Sequence, residues 1–156
     1  MGILTDEMQR LVRAQRLGYT ATVCPDGTPN LSPKGTLTVW DDEHLVFADI
    51  RSPGTMRNLR QNPAIEINVV DPLMRKGYRF KGIASIHAPG DPRFAELVAF
   101  FRERGSRSTI RAVVLVRVTR ALLVTSPAYD DGATEEDLRA RWSAYYASQS
   151  RGDPRD

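Results

Sequence analysis

The chain has 156 residues, a length that suits one domain with a core large enough to shape a pocket. Hydrophobic residues make up 41% and charged residues 26%, a composition that excludes disordered and fibrous classes. The net charge is only +3 and no basic run occurs, while one cysteine and two histidines are too few for a zinc site, so we expect neither nucleic acid nor a structural metal as a partner.

The first third of the chain predicts one helix followed by antiparallel strands. Thr5 can cap a helix whose apolar residues recur at helical spacing and which ends near Leu17. The pattern then changes to alternation with short turns, which predicts strands over residues 19–24, 30–40 and 44–50. A Pro-Asp-Gly turn joins the first two strands into a hairpin.

The remainder of the chain continues this mixture of strands and short helices. Ser52 as cap and Pro53 at the first helical position predict a helix that ends at Asn62. Further strands are predicted over 64–70, 77–87 and 112–124, and further helices over about 93–104 and from 134 onward. These elements predict a mainly β fold, a six-stranded antiparallel β-barrel, closed or half-closed, with flanking helices.

The chain is predicted to form a single domain over residues 1–148, with a flexible C-terminal tail over 149–156. No apolar run approaches the ~20 residues that span a bilayer, and the N-terminus lacks the features of a secretory signal. We therefore expect a cytoplasmic protein with no membrane partner.

One predicted strand carries residues suited to a polar ligand. Strict alternation would place Ser32, Lys34, Thr36 and Thr38 on one face. Three hydroxyls and an ammonium group on one face can hold a polar ligand, but a strand side that simply faces solvent has the same pattern.

The start of the helix at Ser52 is a second candidate. Its free N–H groups and positive dipole end, with Arg51, Thr55 and Arg57 close in sequence, suit a phosphate group. A capped surface helix is the alternative. The phosphate interpretation gains weight if the barrel brings Lys34 beside this helix.

Two further features remain open on the pattern alone. Lys81 stands in a predicted strand, where it could point into a pocket or blunt an exposed strand edge. Trp142, with Tyr145 or Tyr146, could cover a flat ring or form a core or dimer contact. No catalytic residue is predicted.

Four segments, in this order and spacing, resemble the pyridoxamine 5'-phosphate oxidase-like flavoproteins with the FMN-binding split barrel. The segments are Ser32-Pro33-Lys34-Gly35, residues 45–51, residues 58–63 and residues 77–82, within a similarity that covers about residues 5–124. The resemblance implies a homodimer with FMN at the interface.

The resemblance also implies roles for individual residues. The flavin would be lined by Ser32, Lys34 and Gly35 from one strand and by Phe47, Ala48 and Asp49 from the next. The phosphate or its loop would be held by Arg51, Ser52, Thr55, Arg57 and Asn58, and Lys81 would approach the ring or the ribityl chain.

Two departures from the vitamin-forming oxidases bear on function. Gly54-Thr55 stands where those oxidases carry an Arg-Lys pair, and their C-terminal arginine-rich substrate signature is missing. The expected function is an FMN-dependent oxidoreductase that uses a small-molecule electron donor or acceptor other than pyridoxamine phosphate. The alternatives are a deazaflavin-dependent reductase of the same fold, a non-enzymatic flavin- or haem-binding module, and a dimeric scaffold without cofactor.

Overall fold

A computed structural model describes residues 2–150 and contains one antiparallel sheet. Its strands are β1 (Gly18–Val23), β2 (Pro29–Lys34), β3 (Thr38–Val39), β4 (His44–Asp49), β5 (Ala64–Asp71), β6 (Lys76–His87) and β7 (Ala112–Thr125). The helices are α1 (Asp6–Gln15), α2 (Pro53–Gln61), α3 (Phe94–Glu103) and α4 (Glu135–Ser150), with a 3-10 turn over Pro127–Tyr129. The strand order is β2-β1-β5-β6-β7-β4-β3, so the sheet curls into a half-barrel whose two edge strands follow each other in sequence.

The mainly β, antiparallel prediction is confirmed, but the prediction of six strands is wrong. The segment 30–40 is two strands, because a turn at Gly35 and Thr36 breaks it. β2 pairs with β1, while β3 pairs with β4 at the other edge of the sheet. The turn also shifts the alternation, since Lys34 and Leu37 are both buried. Thr36 and Thr38 therefore do not continue the face that begins at Ser32.

The core has two parts that lie on opposite faces of β4 and β7. The first fills the inside of the curl and includes Phe47, Phe80 and Ile67. The second lies between the sheet and α3 and includes Leu97 and Phe101. Because both faces of β4 and the first half of β7 are covered, these strands are almost continuously apolar, and the end of β4 is held rigidly.

Helices α1 and α2 begin where the predicted cap residues, Thr5 and Ser52, stand in the sequence. The Thr5 hydroxyl accepts a hydrogen bond from the Met8 amide at 3.4 Å, as a helix cap does. Pro53 occupies the first turn of α2 as predicted, but its cap residue, Ser52, makes no capping hydrogen bond with its side chain. The Ser52 hydroxyl is therefore available to another partner.

The C-terminal end differs in part from the predicted tail. Residues 149 and 150 are the last residues of α4, and residues 151–156 of the predicted tail lie outside the described residues. Within residues 2–150, no helix combines the length and the apolar character needed to cross a bilayer.

Candidate cofactor site

A cavity of about 550 Å³ opens where the end of β2, the end of β4 and the start of α2 meet. Its walls are formed by Pro33, Lys34, Gly35, Thr36, Ala48, Ile50, Arg51, Ser52 and Arg111. The cavity thus lies at the seam between the two edges of the half-barrel, and it joins both of the polar candidate regions seen in the sequence.

Lys34 is the centre of the polar wall. Its side chain is buried, with only 4% of the residue exposed. Nζ donates hydrogen bonds to the Ser32 hydroxyl at 2.6 Å, the Ser52 hydroxyl at 2.9 Å and the Thr55 hydroxyl at 3.5 Å. This geometry fulfils the condition on which the phosphate interpretation depended, since Lys34 lies directly beside the start of α2.

The environment of Lys34 leaves its charge poorly compensated. Burial lowers the pKa of Lys34 from its ordinary value, and the negative charge of Asp49 partly opposes that effect. The three hydrogen-bond partners of Nζ are neutral hydroxyl groups. A buried ammonium group held in this way is stabilised when an anion binds nearby.

The first turn of α2 adds to the positive potential around Lys34. It contains no acidic side chain, and the Ser52 hydroxyl binds Lys34 instead of capping the helix. Ser52 itself is fixed by its amide, which donates to the Asp49 carboxylate at 2.9 Å. N–H groups without an intrahelical partner and the positive end of the helix dipole therefore lie at the same end of α2 as the ammonium group.

The remaining predicted residues divide between the cavity wall and the layer beneath it. Gly35, Ala48, Arg51 and Ser52 line the cavity, whereas Phe47 and Asn58 are almost completely buried below it. Phe47 supports the site from behind, with its ring centroid 5.8 Å from Lys34 Nζ. The Asn58 amide donates to the Thr22 hydroxyl at 3.0 Å, and Arg57 lies on the exposed side of α2.

Lys81 and Trp142 lie elsewhere in this chain. Lys81 is on the exposed face of β6, 3.4 Å from the Glu66 carboxylate, and it lines a separate groove of about 330 Å³. Trp142 stacks on the guanidinium group of Arg75, which lies 3.5 Å from the ring centroid. Neither side chain lines the cavity described above.

A second cleft of about 480 Å³ adjoins the first and was not foreseen from the sequence. The two share Gly35 and Thr36 as a common wall. Three arginines line it: Arg13 from α1, Arg16 directly after α1, and Arg104 directly after α3. Like Arg111 in the first cavity, these residues carry no local motif, because helices distant in sequence bring them together.

A curled antiparallel half-barrel with a cation-lined cavity at its seam has the architecture of the split-barrel proteins. The chain belongs to the pyridoxamine 5'-phosphate oxidase family, whose model matches residues 4–125. This match confirms the resemblance found in the sequence. The matched region contains the whole sheet and both clefts and leaves out α4.

Three solved structures illustrate the relatives of this fold. HupZ of Group A Streptococcus is 31% identical, with a TM-score of 0.70 over 80% of this chain and 96% of that chain. An F420 reductase is 26% identical, with a TM-score of 0.60 over 76% and 98%. An FMN-binding protein from Syntrophomonas wolfei is 15% identical, with a TM-score of 0.64 over 78% and 86%, and shows the fold alone. A search of curated proteins found no significant match.

Proposed function

We propose that this protein binds FMN and serves as an oxidoreductase for a small molecule. The observation that carries the proposal is the buried Lys34 ammonium group, which lies with neutral hydroxyl partners at the start of α2. This arrangement fits a phosphate monoester. The rest of the cavity wall, formed by Gly35, Thr36 and Ala48, is small and mostly apolar, as the surface beside a flat ring must be.

The residues of the chain supply binding and position, whereas a bound flavin supplies the redox chemistry. Lys34, Ser52 and Thr55 would hold the phosphate. The open space beside Gly35, where an added Cβ would meet no atom within 4 Å, leaves room for a ring against the backbone. The rigid end of β4 keeps Ala48 in place as the opposite wall.

The arginine-lined cleft supports an anionic substrate. Arg13, Arg16 and Arg104 lie directly across the shared wall from the proposed cofactor cavity. Guanidinium groups bind carboxylate, sulfonate and phosphate groups with two parallel hydrogen bonds. We therefore propose that the substrate carries such a group and binds with it in this cleft.

Artificial acceptors test this substrate class. With a reduced nicotinamide as donor, we expect the FMN-loaded protein to reduce a sulfonated naphthoquinone with a KM at least about 10-fold below that for the unsubstituted compound. The preference should disappear in Arg104→Gln and persist in Arg60→Gln, a change on the exposed side of α2. Equal KM values for both quinones in the unmodified protein would contradict an anionic substrate.

A homodimer is also part of the proposal. The outer face of β1 and β2 carries an apolar patch, defined here as Tyr19, Val23 and Leu31, with Leu31 67% exposed. Contiguous exposed apolar side chains of this kind mark interaction surfaces in soluble proteins. The groove that contains Lys81 also includes Val23, so a second copy on this face would cover Lys81 as well.

The absorption spectrum of the purified protein is the direct test of the cofactor. We expect a flavin spectrum, with FMN identified by mass spectrometry after heat release, or stoichiometric binding when FMN is added. The F420 reductase among the relatives makes a deazaflavin the second candidate, and the released mass separates the two. A colourless protein that binds neither compound would contradict the proposed function and leave a scaffold role.

A further inference from the structure

We propose that Arg111 makes this protein select a phosphorylated flavin over an unphosphorylated one. The inference rests on the proposed function and concerns the same cavity. Arg111 lines that cavity together with Lys34, Arg51 and Ser52. It is separated from Lys34 by 77 residues of chain and from Arg51 and Ser52 by about 60, and no sequence motif surrounds it.

The backbone of Arg111 is fixed at the rim of the cavity. Its amide donates to the carbonyl of Asp49 at 2.9 Å, and Ala112 pairs with Asp49 in the ladder between β4 and β7. On the other side, Ile110 is buried in the core beneath α3. The side chain therefore starts from a rigid position close to Ser52, which binds Asp49 through its own amide.

The charge of a phosphate monoester requires more than Lys34 alone. The group carries nearly two negative charges at neutral pH, and Lys34 supplies one positive charge. Gly54 and Thr55 in the first turn of α2 add none. Two exposed arginines of the cavity wall, Arg51 and Arg111, form no salt bridge with any carboxylate among residues 2–150. Of the two, Arg111 has the backbone that is bonded to β4, so we assign the second charge to it.

Arginine also suits the geometry of the ligand. A guanidinium group can donate two parallel hydrogen bonds to one phosphate, whereas the ammonium group of Lys34 acts as a point charge. Arg111 would contact the phosphate and leave the ring untouched. Its removal should therefore affect FMN and spare riboflavin, which has the same ring without the phosphate.

The experiment compares FMN and riboflavin binding to the flavin-free full chain by calorimetric titration. We expect Arg111→Gln to weaken FMN binding about 10- to 100-fold and riboflavin binding less than twofold. Arg107→Gln, an exposed arginine of the same loop outside the cavity, is the matched control and should leave both unchanged.

A rescue variant tests whether the effect is electrostatic. A side chain at Gly54 has room, since an added Cβ would meet only the Asn30 side chain at 3.7 Å. In the Arg111→Gln background, Gly54→Arg should restore most of the FMN affinity and leave riboflavin binding unchanged, because it returns a cation to the start of α2.

Each other result has a distinct meaning. If Arg111→Gln binds FMN as tightly as the unmodified chain, the role of Arg111 is refuted while the proposed function stands. If it weakens FMN and riboflavin equally, Arg111 is structural and the inference is again refuted. If the unmodified chain binds neither flavin, the proposed function fails together with the inference.

Discussion

Replacing Lys34 with methionine is expected to weaken FMN binding by about 100-fold or more. The ammonium group is buried, and among residues 2–150 it is the only group that donates hydrogen bonds to Ser32, Ser52 and Thr55 together. Loss of a charge-assisted contact in a site shielded from water removes more binding energy than loss of the same contact at the surface. Quenching of flavin fluorescence during titration of the flavin-free protein measures the change directly.

The same substitution should have the opposite effect on folding. Burial disfavours the charged form of Lys34, as its lowered pKa indicates, so a neutral side chain of similar length at this position avoids the cost of burying an ammonium group. We expect Lys34→Met to leave the thermal midpoint of the flavin-free protein unchanged or to raise it. Lys76→Met, at a lysine paired with Glu135 on the surface, should not alter FMN binding.

The two readouts separate a binding role from a structural one. A Lys34→Met protein that melts well below the unmodified chain would show that Lys34 holds the half-barrel together, so weaker FMN binding would have no specific meaning. If Lys34→Met has normal stability and still binds FMN tightly, Lys34 does not bind the phosphate.

The polar centre of the site could be predicted because its parts are local in sequence. Pro53 stands in the first turn of its helix, as the rules for helix starts predict, and Lys34 stands in a short polar strand. Their contact depends on one long-range event, the approach of β2 to the start of α2. From the sequence, this approach could be stated only as a condition for a phosphate site. The hydrogen bond from Lys34 to Ser52 shows that the condition is met.

The strand count was wrong for a reason that lies in the same region. A pattern of alternating residues continues formally through Gly35, so residues 30–40 suggest one strand. The turn at Gly35 and Thr36 sends β2 and β3 to opposite edges, and pairing partners far away in sequence decide this. This break separates the two edges of the sheet, and the cavity lies between them. A continuous strand over residues 30–40 would leave no such opening.

The cations that came from distant elements could not be predicted. Arg13, Arg104 and Arg111 are three of nineteen arginines, and each stands in an ordinary helical or loop context. They come to line the clefts only because α1 and α3 pack against the sheet. The apolar run in β4 could not be interpreted in detail either. Because β4 is buried on both faces, its sequence pattern does not show which residues face the cavity and which lie in the core behind it.

Leu31→Arg is expected to dissociate the proposed homodimer into monomers at micromolar concentration. Leu31 is the most exposed large apolar side chain of the patch, and it pairs across the strands with Ala21. An arginine buried without a partner at the centre of an apolar interface raises the dimer dissociation constant by about 100-fold or more. Sedimentation equilibrium measures this shift without dependence on any cofactor.

A second leucine provides the control for this experiment. Leu123 on β7 is 56% exposed but lies outside the patch, so Leu123→Arg should remain dimeric. FMN binding links the two proposals: if a second subunit covers the cavity, monomeric Leu31→Arg should lose most of its FMN affinity, and Leu123→Arg should retain it. A Leu31→Arg protein that stays dimeric would exclude this face as the interface. A monomer that binds FMN normally would show that one chain completes the cofactor site alone.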